Sequence, residues 1–252
     1  MQLGAVTYNV LKDMDLETVI QTLEKTGFEG VELRTTHKHG VEPSISAEER
    51  QKVKARFERS KVKLYSFGTT CEFQSADDAE RARQIETAKQ FIQLAHDTGA
   101  IGVKVRPNGF AKGVSKELTI GHIAEGLREV GQFGYVHGVE IWLEVHGGET
   151  QVPPVAAEIM RATKHDNVGL CWNSNPTDVV NGSVKPSFDL LRPWLKSCHI
   201  NELASSYPYR ELFALMRRTN YDRWTLCEAA ESKDPERFLR YYRALWMEMQ
   251  RA

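Results

Sequence analysis

Eight short β-rich runs recur along the chain, each followed by a stretch of helical periodicity, and this rhythm constrains the fold more than any motif. The runs are Leu3–Tyr8, Gly30–Arg34, Val62–Phe67, Ile101–Arg106, Val139–Val145, Val168–Asn173, Lys196–Asn201 and Trp224–Glu228. They are spaced by roughly 28 to 39 residues, the span of one βα unit. The intervening segments read as amphipathic helices: Leu16, Val19, Ile20 and Leu23 share one face, as do Ile85, Ala88, Ile92 and Ala95, and Phe238, Tyr242, Leu245 and Met249. Ser46 with Glu49 forms a capping box, and Asp234 before Pro235 is an N-cap with proline at the first helical position. Gly27, Gly99 and Gly138 each precede a strand, where a left-handed residue ends a helix without a Cβ penalty.

The chain has 252 residues, the length of one (β/α)8 barrel of roughly 250 residues. No linker or low-complexity segment breaks the rhythm, so the expected fold is a single (β/α)8 TIM barrel domain over residues 1–252. The rival is a doubly wound open sheet. No GxGxxG or GxxxxGKS/T follows a strand, so its usual phosphate loop is missing. A net charge of −1 argues against generic polyanion binding, and hence against nucleic acid as a partner. No apolar run approaches the roughly 18 residues of a membrane span, and Met1–Val6 lacks the basic start and long apolar stretch of a signal peptide, giving a cytoplasmic expectation. Cys71, Cys171, Cys198 and Cys227 have no CxxC spacing, so neither a disulfide framework nor a zinc ribbon is implied.

Barrel strands alternate lumen-facing and helix-facing side chains. On the fifth run Ile141, Leu143 and Val145 suit the helix layer, sending Glu140, Trp142, Glu144 and His146 inward. The same parity sends Cys171, Asn173 and Asn175 inward on the sixth run, His199 and Asn201 on the seventh, and Glu228 at the end of the eighth. Glu144, Asn173, His199 and Glu228 thus fall at C-terminal strand ends, where barrel active sites form. Two carboxylates, an imidazole and an amide oxygen suit Mn²⁺ or Mg²⁺, and Zn²⁺ also fits. Unpaired carboxylates in a lumen are costly, so two of them require a cation, a proton or a basic partner. Lys104 and Arg106 share one parity on the fourth run and offer the alternative, a structural ion-pair network with Glu144 or Glu228.

Across its length the chain resembles the xylose isomerase-like barrels, the sugar phosphate isomerases and epimerases. The carriers are Gly27-Phe-Glu-Gly-Val-Glu-Leu-Arg34, Leu143-Glu-Val-His146, Leu170-Cys-Trp-Asn173, Cys198-His-Ile-Asn201 and Leu226-Cys-Glu228, in the family's order and spacing. The resemblance implies an enzyme with one divalent metal ion held by Glu144, Asn173, His199 and Glu228. It implies that Glu144 and Glu228 move a proton between adjacent carbons of a small sugar, keto-sugar or polyol through an enediolate. That is isomerisation or epimerisation; expulsion of a β-hydroxyl would make the same site a lyase or dehydratase acting on a keto-sugar or inosose. Position 173 departs from the family's aspartate. Asn173 removes one negative charge, which weakens metal binding and makes a bound ion the stronger Lewis acid. A barrel that has lost its metal this way and serves as a non-catalytic sensor is the third reading.

His146, two residues past Glu144, resembles a family substrate contact. His39 and His37 follow the second strand, Asn201 and Glu202 follow His199, and each is a candidate substrate contact with a loop or capping role as its alternative. Lys104, Arg106 and Arg34 can bind a carboxylate or phosphate, or counter Glu32 and Glu140. Tyr8 and Trp142 read as barrel filling rather than as sugar-stacking surfaces, and Cys171, Cys198 and Cys227 as buried hydrophobes. Abasic-site endonucleases share the superfamily, but a single ligand set and near-zero charge argue against that activity. By family analogy the expected partners are a sugar-like small molecule and further copies of the chain in a homo-oligomer.

Overall fold

A computed structural model describes residues 1–251. Among the described residues, eight parallel strands close into a barrel in chain order and eight α-helices alternate with them. The strands are β1 Gln2–Val6, β2 Gly30–Arg34, β3 Lys63–Gly68, β4 Gly102–Val105, β5 Glu140–Glu144, β6 Val168–Asn173, β7 Leu195–Ile200 and β8 Trp224–Cys227. The helices are α1 Leu16–Thr26, α2 Ala47–Glu58, α3 Asp78–Thr98, α4 Lys116–His137, α5 Pro153–Thr163, α6 Lys185–Leu191, α7 Tyr209–Arg218 and α8 Pro235–Met249. β8 pairs with β1, Trp224 opposite Gln2, so the sheet has no open edge. This is the (β/α)8 TIM barrel that the spacing predicts. Among the described residues no helix is long and apolar enough to cross a membrane.

The caps follow the sequence. Ser46 and Glu49 exchange both capping-box hydrogen bonds at α2, and the Asp234 carboxylate accepts from the Arg237 N–H at α8. Gly27, Gly99 and Gly138 end α1, α3 and α4 at φ 77°, 81° and 67°. Several strands stop sooner than their β-rich runs. Arg106, Val145 and Glu228 lie just past strand ends, where each N–H still bonds a neighbouring carbonyl, of Cys71, Cys171 and Ile200 respectively. The side chains of Arg106 and Glu228 therefore sit at the mouth of the barrel, while Val145 packs outward beneath the helices.

Strand parity divides the apolar residues into two cores. Val31, Leu33, Ile141, Leu143, Leu170, Trp172, Cys198 and Ile200 pack outward in the layer beneath the helices. Val6, Tyr65, Trp142, Cys171, Trp224 and Leu226 form a separate cluster that fills the lower lumen. The Tyr65 ring lies 4.8 Å from that of Trp142 and 5.4 Å from that of Trp224. Gly30 and Gly102 make room for it, since a Cβ at either would enter an indole ring. The β2–β3 register skips Tyr65 between the pairs Val31–Leu64 and Glu32–Ser66. That bulge turns Tyr65 and Ser66 both toward the lumen, one into the plug and one to Glu32 above it. Below, Arg223 grips Glu140 through two hydrogen bonds of 2.7 and 2.9 Å, and the Trp142 indole N–H donates to the same carboxylate.

Candidate active site

Polar side chains occupy the lumen above the aromatic plug. Their strand positions put them there: Glu32 on β2, Ser66 on β3, Lys104 on β4, Glu144 and Asn173 as the last residues of β5 and β6, His199 on β7 and Glu228 just past β8. His199 lies at the centre and is fully buried. Its Nε2 is 3.2 Å from Glu32 Oε1, and its Nδ1 is 3.4 Å from both Glu144 Oε1 and Glu228 Oε2. Ligand atoms of Glu144, His199 and Glu228 all fall within 4.8 Å of one another. Glu32, also fully buried, is fixed by the Ser66 hydroxyl, which donates at 2.8 Å.

Lys104 supplies the opposing charge. Its ammonium donates to Glu144 Oε2 at 2.8 Å, with the Thr69 carbonyl at 3.4 Å, and only 6% of its side chain is exposed. Burial by itself would lower this lysine's pKa, but Glu144, Glu32 and Glu228 outweigh it and raise the value. Burial opposes ionisation of Glu144 and Glu32 too, yet Lys104 and His199 hold both below the ordinary carboxylate range. At His199 burial favours the neutral ring, while Cys171, Glu228 and Glu32 favour the charged one, and the pKa is raised well above its ordinary value. Burial also raises the Cys171 thiol, so the carboxylates are the groups that raise the imidazole's pKa.

The donor set fits a divalent cation. Asn173 Oδ1, Glu32 Oε1 and both ring nitrogens of His199 are buried atoms without a hydrogen-bond partner. Glu144 and Glu228 flank Nδ1, and Glu32 lies 3.2 Å from Nε2 on the other edge of the ring, where a carboxylate can support a metal-ligating imidazole. Glu144, Asn173, His199 and Glu228 can thus hold an ion, with Lys104 occupying the second oxygen of Glu144. Asn173 donates from Nδ2 to Glu144 Oε1 at 3.3 Å.

The remaining candidates divide by what they touch. His146 stands at the mouth beyond Glu144, its Nδ1 buried and unpartnered. Arg106 pairs with Glu72 at 2.8 Å, so of the two β4 cations only Lys104 meets the acids of the site. His39 is engaged by backbone at both nitrogens: Nε2 lies 2.8 Å from the Arg34 carbonyl, and Nδ1 accepts from the Val41 N–H. It shapes the β2–α2 loop. His37 is held at Nδ1 by Thr7 Oγ1, 2.9 Å away. Asn201 Nδ2 donates to the Ser174 carbonyl, while Glu202 is exposed; both line a cavity of about 520 Å³ with Tyr207. Tyr8, expected to fill the barrel, is instead 41% exposed at the mouth, because β1 ends at Val6. Sequence reading had Glu32 only as a charge to be countered. Its place under His199 was signalled by the alternation Gly30, Glu32, Arg34 against outward Val31 and Leu33.

A family model, the xylose isomerase-like TIM barrel, matches residues 20–245. The chain belongs to this family. Among solved structures, an L-ribulose 3-epimerase superposes with a TM-score of 0.85 at 15% identity, covering 100% of this chain and 95% of that one. The 3-keto-D-glucoside 4-epimerase YcjR of E. coli gives 0.82 at 13%, covering 100% of both chains. The IOLI protein, solved with a zinc atom, gives 0.82 at 16%, covering 99% and 98%. No curated protein sequence matches the chain.

Proposed function

We propose that this barrel is a divalent-metal-dependent isomerase or epimerase of a small keto-sugar or polyol. The observation that carries the reading is the convergence of Glu144 and Glu228 on His199 Nδ1, 3.4 Å from each, with ligand atoms of all three within 4.8 Å of one another. Two carboxylates so placed bracket a bound substrate, one positioned to take a proton from carbon and the other to return one. Glu144, Asn173, His199 and Glu228 would hold the metal, which when bound supplies electrostatic stabilisation to negative charge on a carbonyl and its neighbouring hydroxyl. Glu32 fixes the imidazole, Lys104 orients Glu144, and the aromatic plug closes the lumen beneath the reacting carbons. The epimerases of ketoses and of a keto-glucoside among its structural neighbours, together with one neighbour carrying zinc, support the same reading.

The test is chelator-stripped protein refilled with Mn²⁺, Mg²⁺ or Zn²⁺ and assayed on L-ribulose, D-psicose and 3-keto-D-glucosides. Metal-dependent exchange of a carbon-bound proton with solvent, at constant substrate mass, is the expected result. Glu144→Gln and Glu228→Gln should each lower it by about 10² to 10⁴. Loss of water from the sugar identifies a lyase instead, and failure to take up any of the three metals identifies a non-catalytic barrel.

A further inference from the structure

Three cations share inward parity on this side of the barrel, and the structure separates them. Lys104 is spent on Glu144 and Arg106 on Glu72. Arg34 has no carboxylate partner among the described residues. Its Cγ lies beside Gly68 at the top of the lumen, above Glu32. Its guanidinium lies 5.5 Å from the Tyr8 ring centroid, and Tyr8 in turn stacks on His37 at 6.2 Å. Only Nη1 is engaged, donating to the Thr35 carbonyl at 3.0 Å, with Thr36 Oγ1 at 3.5 Å. Nε and Nη2 therefore remain as a free pair of parallel N–H donors, the edge that grips a carboxylate or phosphate with two hydrogen bonds.

The charge of the centre leaves room for such a ligand. The buried carboxylates of Glu32 and Glu144 and the part-buried carboxylate of Glu228 face one ammonium, that of Lys104, so a divalent ion bound with neutral His199 brings the cluster to neutrality. An aspartate at position 173 would leave it negative and repel an anion; Asn173 does not. The mouth is thus asymmetric, with proton-transfer and ligand groups on β5 to β8 and a free guanidinium edge on β2.

We propose that Arg34, flanked by Tyr8 and His37, is an oxyanion subsite, and that the substrate is an anionic keto-sugar whose carboxylate or phosphoryl group binds there while its carbonyl end lies at Glu144 and Glu228. This rests on the function proposed above. The probes are three ketoses that differ at C6, D-fructose, D-fructose 6-phosphate and D-fructuronate, titrated calorimetrically into Mn²⁺-loaded protein. At least one anion should bind about 10- to 100-fold more tightly than fructose, and the tighter anion names the group. Arg34→Met should bring that ratio close to one. Arg34→Lys, which keeps the charge without the fork, should retain part of it, and a Mn²⁺ titration of each variant shows that the centre is intact. Equal affinities in the wild type, no measurable binding of either anion, or a preference that survives Arg34→Met in intact protein overturns the proposal. Metal-dependent epimerisation of neutral ketoses with no anion preference would remove the subsite and keep the function. An Arg34-dependent preference without turnover would do the reverse.

Discussion

On the proposed reading, Lys104 and Asn173 govern, one residue each, how tightly a cation sits among the acids. Lys104 competes with any ion for Glu144, so Lys104→Met should tighten Mn²⁺ binding in a calorimetric titration. It should also destabilise the metal-free protein by about 3–5 kcal/mol in a denaturant melt, because breaking a buried pair strands its carboxylate. Asn173→Asp should act similarly on the metal: an added carboxylate ligand raises affinity, roughly tenfold or more. The same variant puts like charges side by side where Asn173 now donates to Glu144, so its metal-free melting temperature should fall while its Mn²⁺-induced rise grows. Glu32→Gln keeps the length but not the charge behind His199, and should cost 10- to 100-fold in Mn²⁺ affinity with the fold unchanged. That Glu144, Asn173, His199 and Glu228 face the lumen together was legible in the sequence because strand parity is a strict two-residue period. The partners of Lys104 and Arg106 were not, because one parity places both inward, and Glu72, the partner of Arg106, lies in the loop after β3, outside the strand pattern.

Between elements, the β6–α6 and β7–α7 loops are tied together by a group that titrates. Asp178 is fully buried, its Oδ2 accepting from the Asn175 N–H and the Tyr207 hydroxyl, both at 2.8 Å, while Tyr207 accepts from the Trp172 indole at 3.1 Å. Oδ1 has no partner. Burial, opposed by those two hydrogen bonds, pushes the Asp178 carboxyl up to about 7 from 3.8. A raised folded-state value means the native state holds its proton where the unfolded chain has released it. The associated stability is therefore complete below about pH 4 and lost progressively up to about pH 7, at roughly 1.4 kcal/mol per unit. Asp178→Asn removes the ionisation, so thermal melts should show the wild type losing ground to the variant between these pH values; parallel curves would contradict this. The starts of α2 and α8 and the ends of α1, α3 and α4 were marked by Ser46, Asp234, Gly27, Gly99 and Gly138, whereas the strand ends were not. The Tyr65 bulge was not, since a one-residue skip between neighbouring strands leaves no trace in the pattern of either strand alone.

At the scale of the whole barrel, eight-fold closure was readable from spacing, but the apolar plug beneath the polar site needed the packing of Tyr65, Trp142 and Trp224. Gly102→Ala probes that packing. Its methyl enters the Trp142 ring, and overpacking of this kind costs about 1–3 kcal/mol, a fall of roughly 2–4 °C in melting temperature for each. Adding Trp142→Phe should recover part of the loss, and simple additivity of the two changes would show that they do not share the site. The plug also decides the order of events. With the floor sealed, ion, sugar and water share one doorway. On the proposed reading the ion loads first and a seated sugar locks it in, so chelator should strip metal more slowly as sugar concentration rises.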